Sequence, residues 1–322
     1  MKAIIISAYI GPLPNWFSLW ARSAGANPQV HFMVVSDQPV PPGLPDNVSF
    51  RHATLADLQR HWSDHCGLEV ALTTPYKLND YKPLFWTLVP EIGSRYDYWG
   101  FCDLDVMFGD LTPIVDNLCG RYDMILSEGH LRFLRTGPVA QQAWQDITTP
   151  RTWRDILTDP VIFGMDEHQG INRVFASGPR SWFADPALIA DIHPSFRQFR
   201  RLPYLRNDRV QAFFWEDGHV YREFWHGGKY GREELLYIHI QKRRMAVDPA
   251  LATSSAIDIG PQGFTPRDSR QTARADLLRR NPPHFPNGAE GRVLLRELVR
   301  RLTGKDPPFP AVRREGGGQP AA

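Results

Sequence analysis

Cysteine is scarce in this chain: Cys66, Cys102 and Cys119 are the only three in 322 residues. An odd, widely spaced set makes neither a disulfide framework nor a CxxC metal clip, so a reducing, cytoplasmic setting is expected. Excess charge is also lacking. A net charge of +2 argues against a body built to neutralise nucleic-acid phosphates, and no nucleic-acid partner is expected. No apolar run approaches the roughly 18 residues needed to span a bilayer. The opening MKAIIISAYIGPLP has an apolar stretch only over residues 3–10 and no convincing cleavage site, so it reads as a buried first strand rather than a signal peptide. Glycine-rich phosphate loops of the Walker or dinucleotide type are absent, as are internal repeats. His61 and His65, at i and i+4, lack both a Glu between them in protease register and a third ligand, and read as part of a surface helix.

What is present is bulky core material, with 10 Trp and 18 Phe, arranged in alternating strand and helix patterns. Residues 3–10 and 30–36 are continuous apolar runs suited to strands buried on both faces. Between them Asn15 is placed to cap a helix carrying Trp16, Phe17, Leu19 and Trp20. Helical patterns follow over 54–66 and 81–92, the latter with Pro83 in its first turn. Residues 96–101 and 124–127 return to strand character, and this order predicts an α/β fold around a largely parallel sheet. Later, residues 211–215 and 220–225 flank an Asp217-Gly218 turn, predicting an antiparallel hairpin added to that sheet, and 235–240 reads as the last strand.

Composition shifts near Met245. Residues 246–322 hold 10 Pro and 8 Gly, with 12 Lys/Arg against 8 Asp/Glu. A domain over 1–245 followed by a loose basic tail over 246–322 is therefore expected. Within the tail, Leu294, Leu295, Leu298, Val299 and Leu302 recur at helical spacing among arginines, predicting an amphipathic helix over 291–305. Such a helix suits peripheral contact with an anionic membrane face, packing on the body, or pairing with another chain.

The strongest chemical signal is Tyr98-Trp99-Gly100-Phe101-Cys102-Asp103-Leu104-Asp105. An apolar strand delivers two carboxylates to its carboxyl end, where open α/β sheets bind ligands. At i and i+2 on extended backbone the two acids point the same way. Hard oxygen ligands with open positions suit Mg²⁺ or Mn²⁺ holding a diphosphate.

In chain order, Ala8-Tyr9-Ile10-Gly11-Pro12, Lys77-Leu78-Asn79-Asp80-Tyr81-Lys82-Pro83, Asp103-Leu104-Asp105, Met165-Asp166-Glu167-His168 and Ile238-His239-Ile240-Gln241-Lys242 form a set. Over residues 1 to about 245, that set resembles bacterial glycosyltransferase-like proteins of capsule and surface-polysaccharide biosynthesis, which are similar to nucleotide-sugar transferases of the Rossmann-like GT-A fold. The resemblance implies transfer of a sugar from a nucleoside diphosphate donor, UDP-linked, to a hydroxyl of a glycan or lipid-linked acceptor. It implies Asp105, Asp103 and His239 as metal ligands, with Asp103 alternatively on the ribose, and Lys242 on the diphosphate. Asp166 or Glu167 would face the acceptor, as general base if the anomeric carbon is inverted. Tyr9, Asp80 and Lys82 would contact nucleotide or sugar, and Glu128-Gly129-His130 would shape the acceptor side.

Two other readings use the same residues. A haloacid-dehalogenase-type phosphatase places a nucleophilic Asp and an acid/base Asp two residues apart after an apolar strand, as Asp103 and Asp105 stand. That motif normally ends the first strand of its fold, and here strands precede it. A GT-A-shaped nucleotide-sugar binding protein without transfer activity would keep the ligands and lack turnover.

Overall fold

A computed structural model of the protein describes residues 1–167, 170–241, 243–268, 273–303 and 312–314. The strands, in chain order, are β1 (Ala3–Tyr9), β2 (Val30–Ser36), β3 (Val48–His52), β4 (Tyr98–Cys102), β5 (Val106–Phe108), β6 (Met124–Ile125), β7 (Leu131–Arg135) and β8 (Trp182–Ala184). They continue as β9 (Ile189–Asp191), β10 (Val210–Glu216), β11 (His219–His226), β12 (Lys229–Leu235), β13 (Tyr237–His239), β14 (Ala256–Gly260), β15 (Gly263–Pro266) and β16 (Val312–Arg314).

The fold is mixed α/β. Among the described residues the main sheet runs β16-β8-β6-β7-β4-β1-β2-β3. Only β3, β2, β1 and β4 form a continuous parallel block, because β7 pairs antiparallel with both β4 and β6. The expectation of a largely parallel sheet is thus corrected to a mixed one. The apolar run of β1 works as the pattern predicts: Ile4 and Ile6 enter one buried layer while Ala3 and Ile5 enter the other.

The first layer is built from helix Leu55–Cys66 and the segment Pro75–Leu88. The helix begins with a Thr54/Asp57 capping box and stops at Gly67, whose φ of 63° is the left-handed conformation glycine adopts freely. The predicted α-helix over 81–92 is instead a run of 3₁₀ turns over Pro75–Leu88, with a separate short helix at Ile92–Arg95. Pro83 has no N–H to donate within it. Three-residue turns also stack Lys77 on Asp80, whose side chains meet at 2.8 Å with no exposure. On the other face helix Phe17–Gly25 packs Trp20 against Phe32 and Phe108. Asn15 does not cap it; its side-chain amide donates to the Met245 carbonyl instead, at 2.9 Å.

The late hairpin forms with the expected register, Glu216 opposite His219. It does not extend the main sheet, however. It belongs to a separate antiparallel sheet, β12-β11-β10-β14-β15. The strand expected at 235–240 is divided, Leu235 closing β12 and β13 joining a small third sheet, β5-β13-β9.

The folded body therefore continues well past residue 245. β14 pairs with β10 along Phe213–Glu216, and Ile257, Ile259, Phe264 and Leu277 are buried. Long-range ion pairs explain why composition misled. Buried Glu223 on β11 meets Arg267 at 2.9 Å and Arg280 at 3.0 Å, so charges that read as a solvated tail close a network against the sheet. Residues 288–302 form the predicted helix, bounded as Gly288–Leu302; positions 304–305 of the predicted span lie outside the described residues. No helix among the described residues is long and apolar enough to cross a membrane.

Truncation after residue 250 removes β14, β15 and β16 together with the buried side chains of Leu251, Ile257, Ile259, Phe264 and Leu277, each worth about 2–5 kcal/mol, against a total domain stability of about 5–15 kcal/mol. The shortened chain is expected to lose its cooperative thermal transition by circular dichroism. A sharp transition near the full-length midpoint would show that β14 and β15 are dispensable.

Candidate functional site

The parallel block has the order β3-β2-β1-β4, so successive connections run outward from β1 on one side and then cross to the other. The carboxyl ends of β1 and β4 diverge at that switch, which is where open sheets form a ligand crevice. A cleft of about 1130 Å³ opens there, lined on its floor by Tyr9, Asp103 and Asp105. Leu104, between the two acids, is buried, and its carbonyl accepts from the Trp16 indole at 3.1 Å, which pins the turn. Both carboxylates remain partly accessible.

Strand register brings the distant histidine to them. β13 lies antiparallel to β5 with His239 opposite Val106, the residue after Asp105, and parallel to β9 with His239 opposite Asp191. The Ile240 N–H donates to the Asp105 carbonyl at 2.9 Å, closing the join. His239 Nδ1 sits 2.8 Å from Asp191 Oδ1, which leaves Nε2 facing Asp105 Oδ1 at 3.2 Å. Gln241 donates its amide to the same Asp191 oxygen at 2.6 Å. The His130 ring stacks on His239 with centroids 4.0 Å apart and lies 3.6 Å from the second Asp191 oxygen.

The ligand atoms of Asp103, Asp105 and His239 all lie within 4.8 Å of one another, as do those of His130, Asp191 and His239. The first set fits a divalent cation: two carboxylates and an imidazole whose far nitrogen is held by a carboxylate, the usual support for a metal-bound His. A third grouping, Asp110 with His219 and Glu234, is more exposed and lies outside the cleft lining.

Lys82 is a buried cation among the cleft carboxylates. Lys82 Nζ lies 2.8 Å from Asp103 and 2.9 Å from Asp166, and donates to the Gly129 carbonyl at 2.9 Å. Burial alone would lower its pKa, but Asp103 and Asp166 outweigh burial and hold it above the ordinary value. Burial pushes Asp166 the other way, up to about 6 even against the pull of Lys82. For His239, burial opposes the charged ring, yet Asp105 and Asp191 raise its pKa well above the ordinary value. Asp105 is held low by His239 in spite of burial. A cation at this site would therefore compete with the His239 proton.

Gly129 makes the close approach possible. A Cβ there would fall 2.7 Å from carboxylate oxygens of both Asp166 and Glu167. Behind it, buried Arg132 and the Asn172 amide both donate to the Ser127 carbonyl, the latter at 2.8 Å.

A model of a family of unknown function (DUF6625) matches residues 5–268. The chain belongs to that family. Among curated proteins none matches it. The matched span covers every residue of the site and also β14 and β15, in keeping with a body that runs beyond 245.

Of the residues the sequence singles out, Tyr9, Lys82, Asp103, Asp105, Asp166, Glu167 and His239 all line the cleft. Asp166 does not cap a helix, since the helix Ile171–Ser177 starts after Gly170. Asp80 is not brought to the cleft. It is fully buried, paired with Lys77, and accepts the backbone N–H groups of Phe163, Gly164 and Met165 at 2.7–2.9 Å, so it braces the segment leading to Asp166. Lys242 and His168 lie outside the described residues. Asp191 is the residue sequence reasoning missed. Its signal was present, an acid ending the apolar run Leu188-Ile189-Ala190 much as Asp103 ends β4.

The raised Asp166 pKa has a measurable sign. Between the ordinary 3.8 and about 6 the folded protein holds more protons than the unfolded chain, so stability falls as pH rises through that window. The loss should amount to about 3 kcal/mol at neutral pH. Denaturant unfolding at pH 4.5 and pH 7 should show this slope in wild type and not in Asp166→Asn. Equal slopes in the two proteins would assign the titration elsewhere.

Proposed function

We propose that this chain is a metal-dependent glycosyltransferase of GT-A type. It moves a sugar from a nucleoside diphosphate donor, UDP-linked, to a hydroxyl of a glycan or lipid-linked acceptor in bacterial surface-polysaccharide assembly, on the cytoplasmic side. The observation that carries this reading is the convergence of Asp103, Asp105 and His239 at the strand-order switch, at the floor of a cleft large enough for a nucleotide sugar.

Asp105 and His239 Nε2 would hold Mn²⁺ or Mg²⁺, with Asp103 completing the protein ligands or turning to the ribose. The cation's contribution would be to neutralise charge on the departing diphosphate. Asp191 fixes the His239 ring so that Nε2 and not Nδ1 faces that position. Lys82 holds Asp103 from the opposite side and ties it to Asp166 and the Gly129 turn, so the acids keep their geometry before donor arrives. Tyr9, half-buried at the end of β1, offers a ring for the base. Arg244 is exposed on the cleft wall and, with Lys242 in the same basic run, would meet the diphosphate. Glu167 is the carboxylate we assign to the acceptor hydroxyl. Asp166 is engaged by Lys82, whereas Glu167 is less buried and lines the cleft beside Gly129.

The test is thermal stability with Mn²⁺, UDP, and both together. A ligand that binds only the native state stabilises by mass action, about 2.7 kcal/mol at a hundredfold excess over its Kd. A shift that needs both components in wild type and is lost in Asp105→Ala is expected. An equal shift in the variant would remove Asp105 from the site, and no shift with UDP, GDP or CDP would overturn the donor reading.

A further inference from the structure

Helix Gly288–Leu302 is fixed to the body by one face and leaves an apolar stripe on the other. Its buried Glu290 accepts the Arg197 N–H at 2.7 Å and meets His284 at 2.7 Å, and just before it the Asn281 side chain bonds the backbone of Phe199. Opposite that anchor, Leu295, Leu298, Val299 and Leu302 stand at i, i+3, i+4 and i+7 with 60, 52, 50 and 78% exposure. Phe285, just before the helix, is 96% exposed. Monomeric surfaces scatter exposed apolar residues singly, whereas these share one face. Arg292 and Arg296 are exposed on the same helix, where helical spacing puts them along one border of the stripe.

We infer that this helix docks flat on an anionic lipid surface, its leucines entering the acyl boundary and its arginines meeting the headgroups. Long arginine side chains can lie along apolar surface and still reach headgroup phosphates, the arrangement found in interfacial helices.

The test uses the full-length chain without donor or acceptor, so its outcome is independent of the donor-site experiment. Wild type should sediment with phosphatidylcholine vesicles containing phosphatidylglycerol, and only weakly with phosphatidylcholine alone. The variant Leu295→Glu/Leu298→Glu/Leu302→Glu should lose about tenfold in the vesicle-bound fraction or more, with an unchanged thermal midpoint. Arg292→Glu/Arg296→Glu should lose the preference for anionic vesicles. Wild type that stays in the supernatant with anionic vesicles overturns the inference, as does a leucine variant that sediments like wild type. A wild-type dimer by light scattering that becomes monomeric in the leucine variant, without vesicle binding, would assign the stripe to a second copy of this chain and also overturn it.

Discussion

His239 is gripped from two sides, by Asp191 on Nδ1 and by Asp105 on Nε2, and that grip depends on how β13 sits between β5 and β9. A one-residue slip against either neighbour would turn the imidazole to the opposite face of the small sheet. Register here is set by flanking residues that face buried layers: Tyr237 and Ile238 are both buried, and the Gly109 N–H bonds the Leu236 carbonyl at the other end of the join. The third sheet is small, yet it couples the acidic turn after β4 to a histidine more than a hundred residues later.

The second constraint is electrostatic. Glu128, Asp166 and Asp191 are buried around the cleft beside the half-exposed Asp103 and Asp105, with Lys82 and Arg132 as the buried cations. Such a concentration of carboxylates is costly without compensation. Part of it is met by Lys82, part by the two histidines that hold the Asp191 carboxyl well below its usual range despite burial. Burial leaves Glu128 raised. Carboxylates so placed favour positive charge, and the His239 ring between Asp105 and Asp191 is held toward its protonated form.

The body's outer sheet shows the same economy with ions. Arg222 pairs with Asp208 and with Glu233, while Arg267 and Arg280 converge on Glu223 and Asp258. Because these partners are drawn from residues 208–280, the region rich in Pro and Gly is integral to the fold. The helix Gly288–Leu302 is then carried on an ordered platform, which gives its exposed leucines a defined orientation relative to the cleft.

Local physics made much of this legible from the chain alone. Continuous β-branched runs predicted β1 and β2, the Asp-Gly turn predicted the β10–β11 hairpin, and a strand ending in Asp103-Leu104-Asp105 marked the cleft floor. Those signals are local because they depend on side-chain period and backbone preference within a few residues. Asp191 and the structural role of Asp80 were not legible. An acid at a strand end and an acid at a turn look alike in sequence, and only tertiary packing decides which faces a histidine and which closes on backbone amides. The end of the body past residue 245 was decided in the same way. Composition averages over a stretch, whereas the pairing of β14 with β10 and the burial of Glu223 by two distant arginines depend on contacts made only once the chain has folded.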